Sequence, residues 1–148
     1  MRILHVISSA DPKFGGPIEG IKQRAKVLQV MGHIVEVATA DDPAGAFVKD
    51  FPLPLHAMGP GKTALAYAPK LQDWLNQHAS EYDVIIANGI WQYPCWTVRQ
   101  ATRRINKPYW VYTHGMLDPW FNRAYPLKKL KKQLFWPMQH AVLRDAKA

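Results

Sequence analysis

Short apolar runs alternate along the chain with longer segments whose apolar residues recur at helical spacing. The runs rich in β-branched residues predict strands at 3–7, 34–39, 83–87 and 109–113, and 52–58 is a further candidate for a short strand. The segments between them predict helices at 18–31, 63–78, 95–105 and 127–148, the last kinked or split at Pro137. Strands that alternate with helices are typical of βαβ units. The pattern therefore predicts an α/β fold: a Rossmann-like, doubly wound, mostly parallel sheet with helices on both faces.

Four loops follow the carboxyl ends of the main predicted strands, after Ile7, Thr39, Ala87 and Thr113. In open parallel sheets, ligands bind beyond these strand ends. We therefore expect the functional residues to lie in these four loops.

The first of these loops carries Gly15-Gly16-Pro17 directly before a predicted helix. Glycines let the backbone approach a ligand closely, and a helix N-terminus offers unpaired N–H groups to an anion such as a diphosphate. A tight turn without a ligand would use the same residues. The spacing to Gly20 is not that of the dinucleotide motif G-x-G-x-x-G, which argues against NAD binding.

The loops after the last two predicted strands carry aromatic and imidazole side chains. Trp91 and Tyr93 would either form a wall for a sugar ring or pack the loop onto the core. His114, with Gly115 beside it, follows a strand end, where its ring is expected to face the cleft and hydrogen-bond a ligand.

Two other sequence patterns argue against a bound nucleoside triphosphate and against a bound metal. Gly61-Lys62-Thr63 is not a P-loop, because His56 stands where that motif requires glycine. Asp41-Asp42 would fit a metal but is more often a solvated turn, and no His/Cys/Asp cluster has zinc spacing. We expect no protein-held metal and no cofactor.

The chain has 148 residues, enough for one domain, and 48% of them are hydrophobic. Its net charge of +8 is uneven: residues 1–98 carry 8 basic and 9 acidic side chains, and residues 99–148 carry 11 and 2. In the last helix a stripe of apolar residues lies beside Lys128, Lys129, Lys131 and Lys132. Such a helix would either dock on the sheet with a solvated lysine face or lie on an anionic membrane surface.

Cys95 is the only cysteine, which excludes a disulfide framework. No apolar run approaches the length needed to cross a bilayer. We expect a cytoplasmic protein, peripheral at the inner face of the cell membrane.

Several strings together resemble the start of glycosyltransferase family 4. They are MRILHVI at 1–7 with Gly15-Gly16-Pro17, MGHIVEV at 31–37, IWQYP at 90–94, KPY at 107–109 and THGMLDPW at 113–120. The last string is the most specific, and the set looks like the bacterial group-1 transferases that build surface polysaccharides. The resemblance implies the GT-B fold, in which two Rossmann-like domains face a cleft.

The resemblance also implies roles for individual residues. Gly15 and Gly16 would meet the donor diphosphate, and His114 would act as the catalytic residue near the transferred sugar. Trp91, Tyr93, Met116 and Asp118 would lie on the acceptor side.

For the intact enzyme, the resemblance implies retaining transfer of a sugar from a nucleoside diphosphate sugar to a glycan or lipid-linked acceptor, without a metal. Residues 1–148 match only the first domain of this fold, without the C-terminal nucleotide-sugar-binding domain. We therefore expect a single domain that is inactive alone. The alternatives are a basic nucleic-acid-binding module, which lacks a recognised motif here, and another nucleotide-binding Rossmann-like protein.

Overall fold

The computed structural model describes residues 1–118 and 126–147, except for the side chains of 126–133. Its five strands form one parallel sheet in the order β3-β2-β1-β4-β5. They are β1 (Arg2–Ile7), β2 (Ile34–Thr39), β3 (Leu55–Ala57), β4 (Val84–Asn88) and β5 (Trp110–Tyr112). The helices are α1 (Gly16–Val30), α2 (Ala46–Lys49), α3 (Pro69–His78), α4 (Tyr93–Arg104) and α5 (Pro126–Asp145), with single 3₁₀ turns at Pro12–Phe14 and Ala79–Glu81. The predicted fold class is confirmed.

Each face of the sheet carries its own apolar core. On one face, Ile18, Ile21 and Ala25 of α1 pack against alternate residues of β1 and β2. On the other, α3, α4 and α5 cover Leu4, Val6 and their neighbours. Burial of the sheet on both faces explains why its strands are mostly apolar and show no regular alternation of apolar and polar residues.

Several predicted elements differ from the structure. The helix expected from residue 63 begins at Pro69, because Thr63 and Ala66 adopt left-handed backbone angles and Lys62 pairs with Tyr67 in a short bridge. The segment 41–51, expected to be loop, contains α2. The sequence predicts a kink or a split at Pro137, and α5 runs through this residue without a split.

One carboxylate is buried beside the sheet. Glu36 of β2 accepts hydrogen bonds from Arg2 (2.9 Å) and the Tyr82 hydroxyl (2.9 Å) and lies 2.7 Å from Nε2 of His56. Burial disfavours the charged form, but these partners outweigh it and hold the pKa of Glu36 at about 2. Glu36 is therefore an ionised part of the core, and its partners link β1, β2 and β3.

Candidate functional site

A cleft of about 430 Å³ opens at the carboxyl ends of the strands. Every one of the four loops singled out in the sequence contributes to its wall, as does the segment before α3. The lining side chains include Ser9, Phe14, Pro17, Asp41, Thr63, Asn88, Gln92, His114 and Met116. This position is where open parallel sheets bind ligands.

Asp41 organises the first wall of the cleft. Its carboxylate accepts hydrogen bonds from the Ser9 hydroxyl (2.6 Å) and the Ala10 amide (2.7 Å), and Ser9 in turn accepts from the Asp11 amide (3.1 Å). These bonds tie the β1–α1 loop to the end of β2. The Asp41 carboxylate thus holds the loop that precedes Gly15.

Gly15 and Gly16 stand where α1 begins, between two residues that line the cleft, Phe14 and Pro17. Gly15 has φ 69° and ψ −126°, which only glycine adopts readily. Apart from the adjoining residues and the backbone of α1 itself, no atom lies within 4 Å of the position that a Cβ would take at either glycine. The start of the helix is therefore open to an approaching anion.

His114 is linked to the interior of the sheet through Asn88. Its Nε2 lies 3.1 Å from Oδ1 of Asn88, the last residue of β4. The Nδ2 atom of Asn88 lies 3.1 Å from Nδ1 of His5, in the middle of β1. Asn88 and His5 are almost fully buried, whereas His114 is exposed at the cleft.

Both imidazoles that contact Asn88 favour the neutral form. Burial, assisted by the nearby charge of Arg24, lowers the pKa of His5 to about 4. The same two causes lower the pKa of His114. At neutral pH, His114 is therefore an uncharged hydrogen-bonding group at the cleft.

Trp91 of the β4–α4 loop and Tyr93, the first residue of α4, lie in different places. The Trp91 amide donates to Oε1 of Gln139 in α5 (2.9 Å), and its indole Nε1 donates to the carbonyl of Met116 (3.3 Å). Its ring lies 5.9 Å from that of Trp136.

Tyr93 instead packs on Tyr67, with ring centres 4.7 Å apart, and lines a separate groove between α3 and α4. Met116 lines the cleft, and Asp118 is exposed in the turn that follows it. The structure therefore brings Met116 and His114 together and keeps Tyr93 apart from them.

Sequence reasoning misses the roles of two residues, Asn88, which in the sequence indicates only a turn, and His5. Two sequence signals point to these residues: a histidine inside an otherwise apolar strand, and a polar residue at the end of a neighbouring strand. Their partnership depends on the register between β1 and β4, in which His5 lies opposite Ile86.

The predicted lysine cluster lies only partly within the described residues. Lys128, Lys129, Lys131 and Lys132 lie on α5, but their side chains are outside the described residues. Within residues 1–118 and 126–147, no helix is long and apolar enough to span a membrane. The same residues contain no group of three or more His, Cys, Asp or Glu that could hold a metal.

The comparisons with known proteins agree with this architecture. Residues 15–148 match the glycosyl transferase 4-like domain. HepE from Anabaena, solved in complex with UDP and glucose, is 25% identical, with a TM-score of 0.53 over 75% of this chain and 29% of that one. MurG from Acinetobacter baumannii is 17% identical, with a TM-score of 0.49 over 74% of this chain and 34% of that one. Curated proteins gave no match.

The chain therefore spans less than a third of the length of HepE. Because the family match extends over nearly all of the chain, from the glycine pair to the last residue, the chain belongs to the glycosyl transferase 4-like domain family.

Proposed function

We propose that this chain is the acceptor-side domain of a retaining glycosyltransferase, which uses a nucleoside diphosphate sugar and a glycan or lipid-linked acceptor in surface polysaccharide synthesis. The proposal rests on the family match and on one observation: His114 and the open start of α1 face the same cleft. The similarity to HepE, which was solved with UDP and glucose, supports a nucleotide sugar as the donor.

In this proposal, the start of α1 stabilises the departing diphosphate. Pro17 has no N–H and the Glu19 amide donates to the carbonyl of Gly15 (3.4 Å), so the first-turn amides that an anion could use are those of Gly16 and Ile18. The positive end of the helix dipole favours the charge that develops as the sugar leaves. The space beside the two glycines, where a Cβ would lie, is open, so that phosphate oxygens can reach the backbone. This stabilisation is electrostatic and requires no metal.

His114 positions the donor sugar. A neutral ring both donates and accepts one hydrogen bond, and its donor is already directed to Asn88. The remaining nitrogen accepts from a sugar hydroxyl and holds the sugar in the cleft. Met116 and Asp118, with Trp91 and Tyr93 farther away, are proposed to contact the acceptor.

The experiment is sugar transfer by the full-length gene product. Transfer from radiolabelled UDP-glucose and related nucleotide sugars to membrane extracts is measured for the wild type and for His114→Ala. Loss of one group that acts in the transition state is expected to lower kcat by about 100-fold. The matched control is His33→Ala, just before the amino end of β2 and so away from the cleft, which should retain activity. Undiminished transfer by His114→Ala would refute this role.

A further inference from the structure

We propose that Asn88 is the positioning residue of His114, and that its side-chain amide decides which ring nitrogen of His114 carries the proton. This inference rests on the proposed role of His114 in transfer. It concerns a residue that is only 2% exposed and lies in the wall of the cleft beside His114.

The orientation of the Asn88 amide follows from its surroundings. One end lies 3.1 Å from the carbonyl oxygen of Ile86 and 3.4 Å from that of Val6. Carbonyl oxygens only accept, so this end is the NH₂ group. The other end, which faces His114 at 3.1 Å, is therefore the amide oxygen.

The amide orientation dictates the tautomers of two histidines. Since Oδ1 of Asn88 can only accept, Nε2 of His114 must carry a proton, and Nδ1 is the acceptor of the neutral ring. Since Nδ2 of Asn88 donates, Nδ1 of His5 is unprotonated and its proton lies on Nε2. The Asn88 amide thus fixes the tautomers of both imidazole rings. This arrangement of hydrogen bonds requires His5 to be neutral.

The His114 ring needs a hydrogen bond that holds its orientation. Its backbone is left-handed, with φ 49°, and the next residue, Gly115, has φ 75°. The turn is short, and the imidazole is exposed at the cleft. The charged group nearby is Arg24 of α1, whose guanidinium lies 5.2 Å from the centre of the Tyr112 ring. Among these neighbours, Asn88 supplies the hydrogen bond to the His114 ring.

The first test is nuclear magnetic resonance of the 148-residue chain labelled with ¹⁵N-histidine, at pH 7.5. The His114 signals are identified by their loss in His114→Gln. We expect a proton on Nε2 that exchanges slowly enough with water to be observed. In Asn88→Ala this proton should exchange at least about tenfold faster, because its acceptor is gone. A proton on Nδ1 of His114, or unchanged exchange in Asn88→Ala, would overturn the inference.

The matched control is Thr102→Val, which removes a different buried hydrogen bond, from the Thr102 hydroxyl to the carbonyl of Val98 (2.8 Å). It should lower stability and leave the His114 proton as it is in the wild type. If Asn88→Ala does not fold, the wild-type spectrum still decides the tautomer.

The second test is a double-mutant cycle on sugar transfer by the full-length gene product. Asn88→Ala is expected to lower kcat by about tenfold in the wild type and to have no further effect in the His114→Ala background. Losses that multiply would show that Asn88 does not act through His114, and would overturn the inference. If His114→Ala itself leaves transfer unchanged, the proposed role of His114 in transfer fails, while the spectra still decide the role of Asn88.

Discussion

Gly15 and Gly16 are adjacent at the start of α1 but place different demands on the backbone. Gly15 combines φ 69° with ψ −126°, whereas Gly16 is the first residue of the helix. At both positions a Cβ would meet no atom within 4 Å outside the adjoining residues and the backbone of α1, so substitution tests the local backbone. Only Gly15 is thus required as glycine by its conformation.

We therefore expect Gly15→Ala to lower the free energy of unfolding by about 1–3 kcal/mol, the usual cost of a strained backbone. Gly16→Ala is the matched control and should change it by less than about 0.5 kcal/mol. Urea denaturation of both variants measures the difference. Equal effects of the two substitutions would contradict the assignment of strain to Gly15.

His5 makes the fold sensitive to acid. Its pKa is about 4 in the folded chain, below the ordinary value of 6.5, because burial disfavours the charged ring. Between these values the unfolded chain binds the proton and the folded chain does not, so stability falls as the pH falls.

Between pH 6.5 and 5, this residue alone should lower the free energy of unfolding by about 1–2 kcal/mol. His5→Gln should lose less over the same interval, whatever its stability at neutral pH. Thr102→Val, which alters no titratable group, should keep the wild-type slope. Urea denaturation at several pH values gives the slopes, and identical slopes for the wild type and His5→Gln would contradict the prediction.

At the scale of elements, the anchoring of α5 depends on a nearly buried ion pair. Nε and a terminal nitrogen of Arg99 in α4 lie 2.8 and 2.7 Å from the carboxylate of Asp145. The Arg99 side chain is only 7% exposed. If Asp145 were neutral, this buried guanidinium would be left without its counter-charge, which lowers stability. The Gln139 amide oxygen, which accepts from Trp91, adds a second link between α5 and the β4–α4 loop.

Asp145→Asn is expected to lower the free energy of unfolding by about 1–3 kcal/mol, since Asp145 is itself partly exposed. It should also speed proteolytic cleavage within α5. Arg103→Ala is the control, because Arg103 is exposed and lies 3.8 Å from the same carboxylate. It should change stability by less than about 0.5 kcal/mol. Unfolding curves and limited proteolysis measure both variants. An Asp145→Asn variant as stable as the wild type would show that the ion pair does not hold the helix.

The elements that the sequence predicts best are those with strong local patterns. The existence of the five strands, the helix after Pro17 and the position of His114 follow from periodicity and from residues that stop or start helices. The start of α3 is predicted wrongly, because Leu65 and Ala68 continue the apolar spacing although Thr63 and Ala66 have left-handed backbones. The link from His114 through Asn88 to His5 spans β5, β4 and β1, and local pattern carries no information on such register.

At the scale of the whole molecule, charge separates along the chain. Residues 1–98 are nearly neutral, and the excess of basic residues lies in 99–148. Part of that excess is already used within the fold: Arg99 pairs with Asp145, and Nζ of Lys107 donates to the carbonyls of Ala79 and Ser80. The lysines of 128–132 remain as the sequence-based candidates for an external anionic partner. Exposed Leu134, Phe135 and Trp136 follow them on the same helix.

Lysines beside exposed apolar residues favour a membrane surface over nucleic acid, because a lipid interface takes up both. Each basic residue near an anionic surface contributes about 1 kcal/mol, so replacing Lys128, Lys129, Lys131 and Lys132 by Gln should weaken binding by roughly 1000-fold at low salt. The control replaces four lysines that the structure shows exposed elsewhere, Lys13, Lys26, Lys49 and Lys70, by Gln. It removes the same charge and should retain most of the binding. Flotation with vesicles of phosphatidylcholine, with and without phosphatidylglycerol, measures both variants. Equal recovery of the wild type on neutral and anionic vesicles, unaffected by salt, would contradict a membrane role for this helix.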